Sequence, residues 1–251
     1  MQIIGIIGTG SWGRNLVRTF AGMQSVHLKY IADPSPEILA EVARNYPQIT
    51  ATKKYQIILD DDSVNAAVIA APAQKHYQLA REALLHNKHV FVEKPMTLEV
   101  QHAKELVELA EEKNRKLMVG HLLLYHPCIV EIRKYITRGE IGKVFYVYCQ
   151  RLNLGKVRSD ENALFSFGPH DISVVLYLLN DIPSSVTAVG RSYLQPGVED
   201  VVFLNIFFEN HVMAHIHVSW LDPHKVRRIT LVGSKKMVVF DPTRVMRLTL
   251  W

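Results

Sequence analysis

From residue 2 to about residue 120, short apolar runs alternate with amphipathic stretches of helical period, a rhythm that leaves the chain few ways to bury its apolar groups. Apolar runs hidden on both faces make a parallel sheet, and the amphipathic stretches supply the helices that cover it. Strands are expected at 3–8, 27–33, near Ile49, and at 66–71, 89–93 and 116–121. Helices are expected at 12–21, 36–46, 74–87 and 98–113, with Ser35 and Pro36 as N-cap and first helical residue. The first half therefore reads as α/β, a doubly wound parallel sheet.

Beyond residue 121 the rhythm changes. A helix at 127–138 leads into a long alternating run at 143–152, then a helix near 169–179. Strand-like runs follow near 185–192, 201–208, 211–220 and 226–232, one pair joined by the turn residues Glu209 and Asn210. This is the pattern of an α+β domain with an open, mainly antiparallel sheet. The expected division is 1–121 and 122–251, with no linker or repeat between. The alternating run at 244–251 is either an edge strand or the sign of a C-terminally incomplete chain.

Composition narrows the function. Hydrophobic residues are 48% and charged residues 21%, which excludes a disordered or fibrous class. The net charge of +5 is scattered along the chain, so nothing points to nucleic acid. Cys128 and Cys149 both lie in apolar surroundings, a pattern of reduced thiols rather than a disulfide framework. No apolar run approaches the roughly 18 residues of a membrane span, and the N-terminus lacks a signal-peptide flank, so no membrane partner and a cytoplasmic location are expected.

Gly8-Thr9-Gly10-Ser11-Trp12-Gly13 fits G-x-G-x-x-G between an apolar strand and an amphipathic helix, the context that this motif requires. Gly8 permits the tight turn, Gly10 a close approach of backbone to a pyrophosphate, and Gly13 close packing of helix on strand. Ser11 and Trp12 complete a loop that places the pyrophosphate at the helix N-terminus. Asp33, twenty residues after Gly13, can accept hydrogen bonds from ribose hydroxyls and would repel a 2′-phosphate. It favours NAD over NADP. The alternative is a turn aspartate before Pro34.

In such sheets ligands bind beyond the carboxyl ends of the strands. Three segments lie there: Ala70-Ala71-Pro72 with His76, Glu93-Lys94-Pro95, and Gly120-His121. A lysine at that mouth beside a positively charged nicotinamide suits the deprotonation of a hydroxyl, which makes Lys94 the leading catalytic candidate.

With these residues the sequence resembles the Gfo/Idh/MocA oxidoreductases, which pair the fingerprint with a Glu-Lys-Pro tripeptide. The resemblance covers essentially the whole chain and implies an NAD(P)-binding N-terminal domain and a C-terminal domain that adds to the substrate pocket. It gives Lys94 the role of hydrogen-bonding the reacting hydroxyl, and the Lys94–Pro95 bond can be cis. The family's Asp-x-Gly-x-His motif corresponds to Ser166-Phe167-Gly168-Pro169-His170, so His170 is the expected acid/base and Ser166 stands where the family carries aspartate. Asp171 follows directly, but adjacent helical residues diverge by about 100°.

The segments 10–15, 120–127 and 167–171 look like the branch that oxidises C3 of UDP-N-acetylglucosamine and its uronate. That branch implies a nucleotide-sugar substrate, with Arg151, Asn153, Lys156 and Arg158 as candidates for its diphosphate or hydroxyls. A dehydrogenase of a free sugar or inositol-like polyol is one alternative; a non-catalytic NAD-binding regulator is the other. His211, His215 and His217 share a strand face by parity, yet no carboxylate or cysteine completes a metal site, and none is expected. In the resembling family the exposed face of the C-terminal sheet often builds subunit contacts, which implies a homo-oligomer.

Overall fold

The computed structural model describes residues 1–155, 161–243 and 248–251. The chain divides into two compact units, Met1–Gly120 and His121–Trp251. Among the described residues no helix is long and apolar enough to cross a membrane.

The first unit runs β1 (Gln2–Ile7), α1 (Gly13–Ala21), β2 (Val26–Ala32), α2 (Pro36–Asn45), β3 (Thr50–Thr52), α3 (Gln56–Asp60), β4 (Ala66–Ile69), α4 (His76–Leu85), β5 (His89–Val92), α5 (Val100–Glu112) and β6 (Leu117–Val119). The strands lie in the order β3-β2-β1-β4-β5-β6, every pair parallel. The order reverses direction between β1 and β4, so the chain leaves these two neighbouring strands toward opposite faces and opens a crevice at their carboxyl ends.

Period-2 alternation sorts the strand residues between two cores. Ile4, Ile6, Leu28 and Val68 pack with Leu16, Val17, Leu39 and Val42 of α1 and α2. Ile7, Ala67, Ile69, Val90 and Val92 pack with Leu79, Ala83, Leu84 and Leu106 of α4 and α5. Ser35 caps α2 as its residue type demands, its hydroxyl accepting from the Ile38 N–H. The short helix α3 was not expected: Ile57-Ile58-Leu59 has no helical period of its own. Ile58 sits where a Cβ on Gly5 would lie 2.3 Å from it, so the bare backbone of β1 makes its seat.

The second unit continues with α6 (Pro127–Thr137), β7 (Val144–Leu152), α7 (Ala163–Leu179), β8 (Pro183–Arg191), β9 (Val201–Phe208), β10 (Met213–Ser219), β11 (Val226–Gly233), β12 (Met237–Phe240) and β13 (Leu248–Leu250). Its sheet has the order β13-β12-β11-β7-β10-β9-β8. All pairs are antiparallel except β7 and β10, which run parallel. One face carries Val147, Cys149, Leu204, Ile206, Ala214, Ile216, Ile229 and Leu231, packed on Ile129 and Ile132 of α6 and Val174, Val175 and Leu178 of α7. The opposite face shows Tyr146, Phe203 and Met213, each exposed.

Two expectations need correction here. α7 begins at Ala163, six residues before the expected start, and Pro169 lies inside it. Proline is favoured at the first helical position, but the true N-cap is Asn162, whose side chain accepts from the Phe165 N–H, and burial of Ala163, Ser166, Gly168 and Asp171 carries the helix past the proline. β12 was overlooked, being only four residues long. Of the expected terminal run 244–251, residues 248–251 are described, and Leu248–Leu250 form β13.

Candidate active site

The fingerprint loop follows β1. Gly8 has φ +92°, a conformation that glycine alone adopts without strain. A Cβ on Gly13 would fall 2.1 Å from the Gly8 carbonyl oxygen, so α1 packs directly on the loop, while a Cβ on Gly10 would meet nothing within 4 Å. The middle glycine thus leaves its backbone open at the start of a helix, where a pyrophosphate gains both N–H donors and the helix dipole. Ser11 and Trp12 beside it are exposed.

Asp33 ends β2 at 8% exposure. One carboxylate oxygen accepts from the Thr9 N–H at 2.8 Å and the other from the Ser35 N–H at 3.0 Å. It therefore braces the fingerprint loop and also makes the local turn. A carboxylate offers about four acceptor directions, which leaves capacity for ribose hydroxyls.

Beyond β5 the carboxylate of Glu93 is the organising group. The Trp12 indole N–H donates to one oxygen at 2.7 Å, and the Lys94 backbone N–H donates to the other at 3.3 Å. Burial raises the Glu93 carboxyl above its ordinary value, and these two donors only partly offset it. A Cβ on Gly120 would stand 2.9 Å from one Glu93 oxygen and 3.0 Å from the other, so the residue after β6 must be glycine for the carboxylate to fit. Lys94 follows half-buried, and its bond to Pro95 is cis.

His76 is 2% exposed, with Nδ1 2.7 Å from the Pro95 carbonyl oxygen and Nε2 2.8 Å from that of Ala71. It straps the loop after β4 to the loop after β5. Both ring nitrogens are turned to backbone, so the imidazole holds these two strand-end loops in place. Ala71 is half-buried and Pro72 exposed at the same strand end.

In the second unit, α7 carries Ser166 and His170 one turn apart, hence on one face. Ser166 is buried and His170 half-buried. Asp171 points elsewhere, as adjacent helical positions must. Its two oxygens accept from Arg151 Nε at 2.7 Å and Nη2 at 2.8 Å, with the side chains 12% and 1% exposed. Asp171 and Arg151 thus form a buried ion pair that uses two of the five Arg151 N–H donors. Asn153 accepts from Arg227 Nη2. Lys156 and Arg158 lie outside the described residues.

His121 precedes a 3-10 turn at Leu122–Tyr125. His126 is the N-cap of α6, its ring accepting from the Cys128 N–H. His211 has φ +64° in the turn before β10 rather than a place on the strand. His215 bonds Asn205, and the His217 ring stacks 4.3 Å from that of Phe203. Burial lowers both of these imidazoles. Sequence reasoning missed Arg227 and its contact with Phe167, and it named Gly120 as a strand end without the space that it leaves for Glu93. Both depend on contacts between distant segments that no local pattern encodes.

The family profile described as "Oxidoreductase family, NAD-binding Rossmann fold" matches residues 3–121, and that of the GFO/IDH/MocA C-terminal domain matches residues 129–239. The chain is 30% identical over 243 residues to UDP-N-acetylglucosamine 3-dehydrogenase of Acidithiobacillus ferrooxidans, covering 94% of this chain and 73% of that protein. A solved structure of that dehydrogenase superposes with TM-score 0.85 at 27% identity, covering 95% of this chain and 76% of the other. The NAD⁺-dependent scyllo-inositol 2-dehydrogenase of Bacillus subtilis is 24% identical over 261 residues, 98% of this chain and 75% of its own.

Proposed function

The chain belongs to the Gfo/Idh/MocA family of NAD-binding oxidoreductases, and from that premise we propose that it oxidises a sugar hydroxyl to a ketone, at C3 of a UDP-N-acetyl sugar. The observation that carries the catalytic half of this reading is the Glu93 carboxylate. It ties the fingerprint loop, through Trp12, to the backbone of Lys94, so the pyrophosphate cradle and the candidate catalytic lysine form one rigid piece. The choice of sugar rests on the 30% identity to UDP-N-acetylglucosamine 3-dehydrogenase.

Gly8, Gly10, Ser11 and Gly13 would hold the pyrophosphate of NAD, and Asp33 the adenosine ribose. Trp12 of the same loop, Ala71 and Pro72 after β4, Glu93 after β5, and His121 are the further residues assigned to NAD in this reading. NAD, when bound, would supply the hydride acceptor for the carbon bearing the hydroxyl. Lys94 donates a hydrogen bond to the hydroxyl oxygen and favours its deprotonation, and His170 accepts the proton. Ser166, one turn before His170, offers a hydroxyl where the family has a carboxylate; it can orient the imidazole through a hydrogen bond but cannot stabilise an imidazolium by charge. The proposal extends to a homo-oligomer built through the exposed face of the C-terminal sheet, supported by the apolar Tyr146, Phe203 and Met213 there.

The test is NADH absorbance from protein, NAD and a panel of UDP-N-acetylglucosamine, its uronate, glucose and inositol. Turnover on the UDP-sugars is expected. Turnover confined to inositol would move the substrate to a polyol, and NAD binding without turnover on any sugar would make the chain a regulator. Lys94→Ala and His170→Ala should each abolish turnover while NAD affinity, measured by calorimetry, stays within about threefold, because the roles assigned to them are on the reacting hydroxyl rather than on the pyrophosphate.

A further inference from the structure

Arg227 on β11 stands in antiparallel register with Arg151 on β7, which sets two guanidinium-bearing residues side by side on the face that α7 covers. Among the described residues one carboxylate serves them. Asp171 is taken by Arg151 in a bidentate pair, and among the described residues no acid lies within ion-pair distance of Arg227. Arg227 is held instead by neutral groups. Its Nη1 donates to the Leu152 and Val226 carbonyl oxygens at 2.8 and 2.9 Å, its Nη2 donates to Asn153 Oδ1, and its guanidinium carbon lies 4.9 Å from the centre of the Phe167 ring.

A half-buried cation beside a second cation is costly unless something negative arrives. Burial and the neighbouring Arg151 pull the Arg227 guanidinium down to about 10, with Asp171 acting weakly the other way. A guanidinium has five N–H donors in a planar fork, and the hydrogen bonds above use three of them. The remaining two suit an oxyanion. The place also matters: Phe167, which supports the guanidinium, lies three residues before His170 on α7, so the two side chains flank one another along the helix.

We propose that Arg227 binds an oxyanionic group of the substrate, a diphosphate or a sugar carboxylate, and is the cation that separates charged sugars from neutral ones. Arg151, by engaging Asp171, leaves that carboxylate unable to neutralise Arg227 and fixes β7 to α7. This rests on the reading of the chain as a sugar dehydrogenase, and the experiment separates the two.

Uridine diphosphate and glucuronate are titrated by calorimetry into the full chain, with NAD saturating so that its own diphosphate site is filled. The same titrations are made on Arg227→Gln and Arg227→Lys, followed by steady-state kinetics on UDP-N-acetylglucosamine, its uronate and neutral N-acetylglucosamine, the anionic sugar being the one that carries the anion read. Arg227→Gln should weaken the anion that is read by about tenfold or more, the worth of one charge-assisted hydrogen-bonded pair; Arg227→Lys, which keeps the charge without the fork, should lose less. Loss with uridine diphosphate identifies the diphosphate, and loss with glucuronate the carboxylate.

On the anionic sugar KM should rise by the same factor while kcat stays within about threefold, and the neutral sugar should be indifferent. Unchanged binding of both anions, or equal losses on charged and neutral sugars, overturns the proposal. If Arg227→Gln does not fold, wild-type affinity for both anions in Arg227→Lys overturns it equally. Anion binding that depends on Arg227 in a protein oxidising no sugar keeps this site and discards the dehydrogenase reading; sugar oxidation with no anion dependence does the reverse.

Discussion

Gly120 follows β6 at a point where any side chain would strike the carboxylate of Glu93, 2.9 and 3.0 Å from its two oxygens. The carboxylate cannot simply retreat, because the Trp12 indole and the Lys94 N–H hold it from the other sides. Gly120→Ala should therefore cost about 1–3 kcal/mol by overpacking and weaken NAD binding by loosening the Trp12 loop. Gly22→Ala is the control, since its nearest neighbour would be 3.5 Å away. Urea unfolding and NAD calorimetry on both variants check it; equal behaviour of the two would show that the carboxylate adapts. The sequence made Gly8, Gly10 and Gly13 legible because a motif with its own strand-helix context fixes their jobs. Gly120 was legible only as a strand end, since the group that it accommodates is 27 residues away in the chain.

At the scale of elements, α7 and β7 are joined by Asp171 and Arg151, a pair with 1% and 12% side-chain exposure. Removing one member leaves the other charged without its partner. Asp171→Ala should cost about 3–5 kcal/mol, whereas replacing both by apolar residues, as in Arg151→Met with Asp171→Leu, should recover most of that loss. Urea midpoints for the two proteins decide it: a double variant no more stable than Asp171→Ala would mean that the pair does more than cancel its own charges. This pair also shows where sequence reading stops. Alternation along 143–152 was enough to find β7, and Val201–Phe208 emerged with its bounds intact, because period 2 is a local signal. The start of α7 was misplaced because Gly168 and Pro169 are local breakers that the burial of Ser166 and Asp171 overrides. The parallel pairing of β7 with β10, and with it the neighbours of Arg151, follows from topology rather than from either strand's composition.

At the scale of the molecule, both sheet types were legible because each has its own sequence rhythm, apolar runs between helices in the first half and alternating runs between turns in the second. The cores follow the same division. The two clusters that sandwich the parallel sheet draw only on residues of the first unit, and the third cluster only on the second. A unit of 120 residues with a core on each face of its sheet is within the size at which a domain folds alone. The groups proposed to hold NAD between Gly8 and Glu93 brace one another within it, Asp33 on Thr9 and Glu93 on Trp12. Residues 1–120 expressed alone should therefore unfold cooperatively and bind NAD within about tenfold of the whole chain, a difference of about 1.4 kcal/mol, yet oxidise no sugar, because His170 is absent. Calorimetry with NAD and a urea curve test this directly. A fragment that folds but binds NAD a hundredfold more weakly would mean that the cofactor needs groups from the second unit, His121 first among those named, and would shift the search for cofactor contacts beyond the strand ends of the parallel sheet.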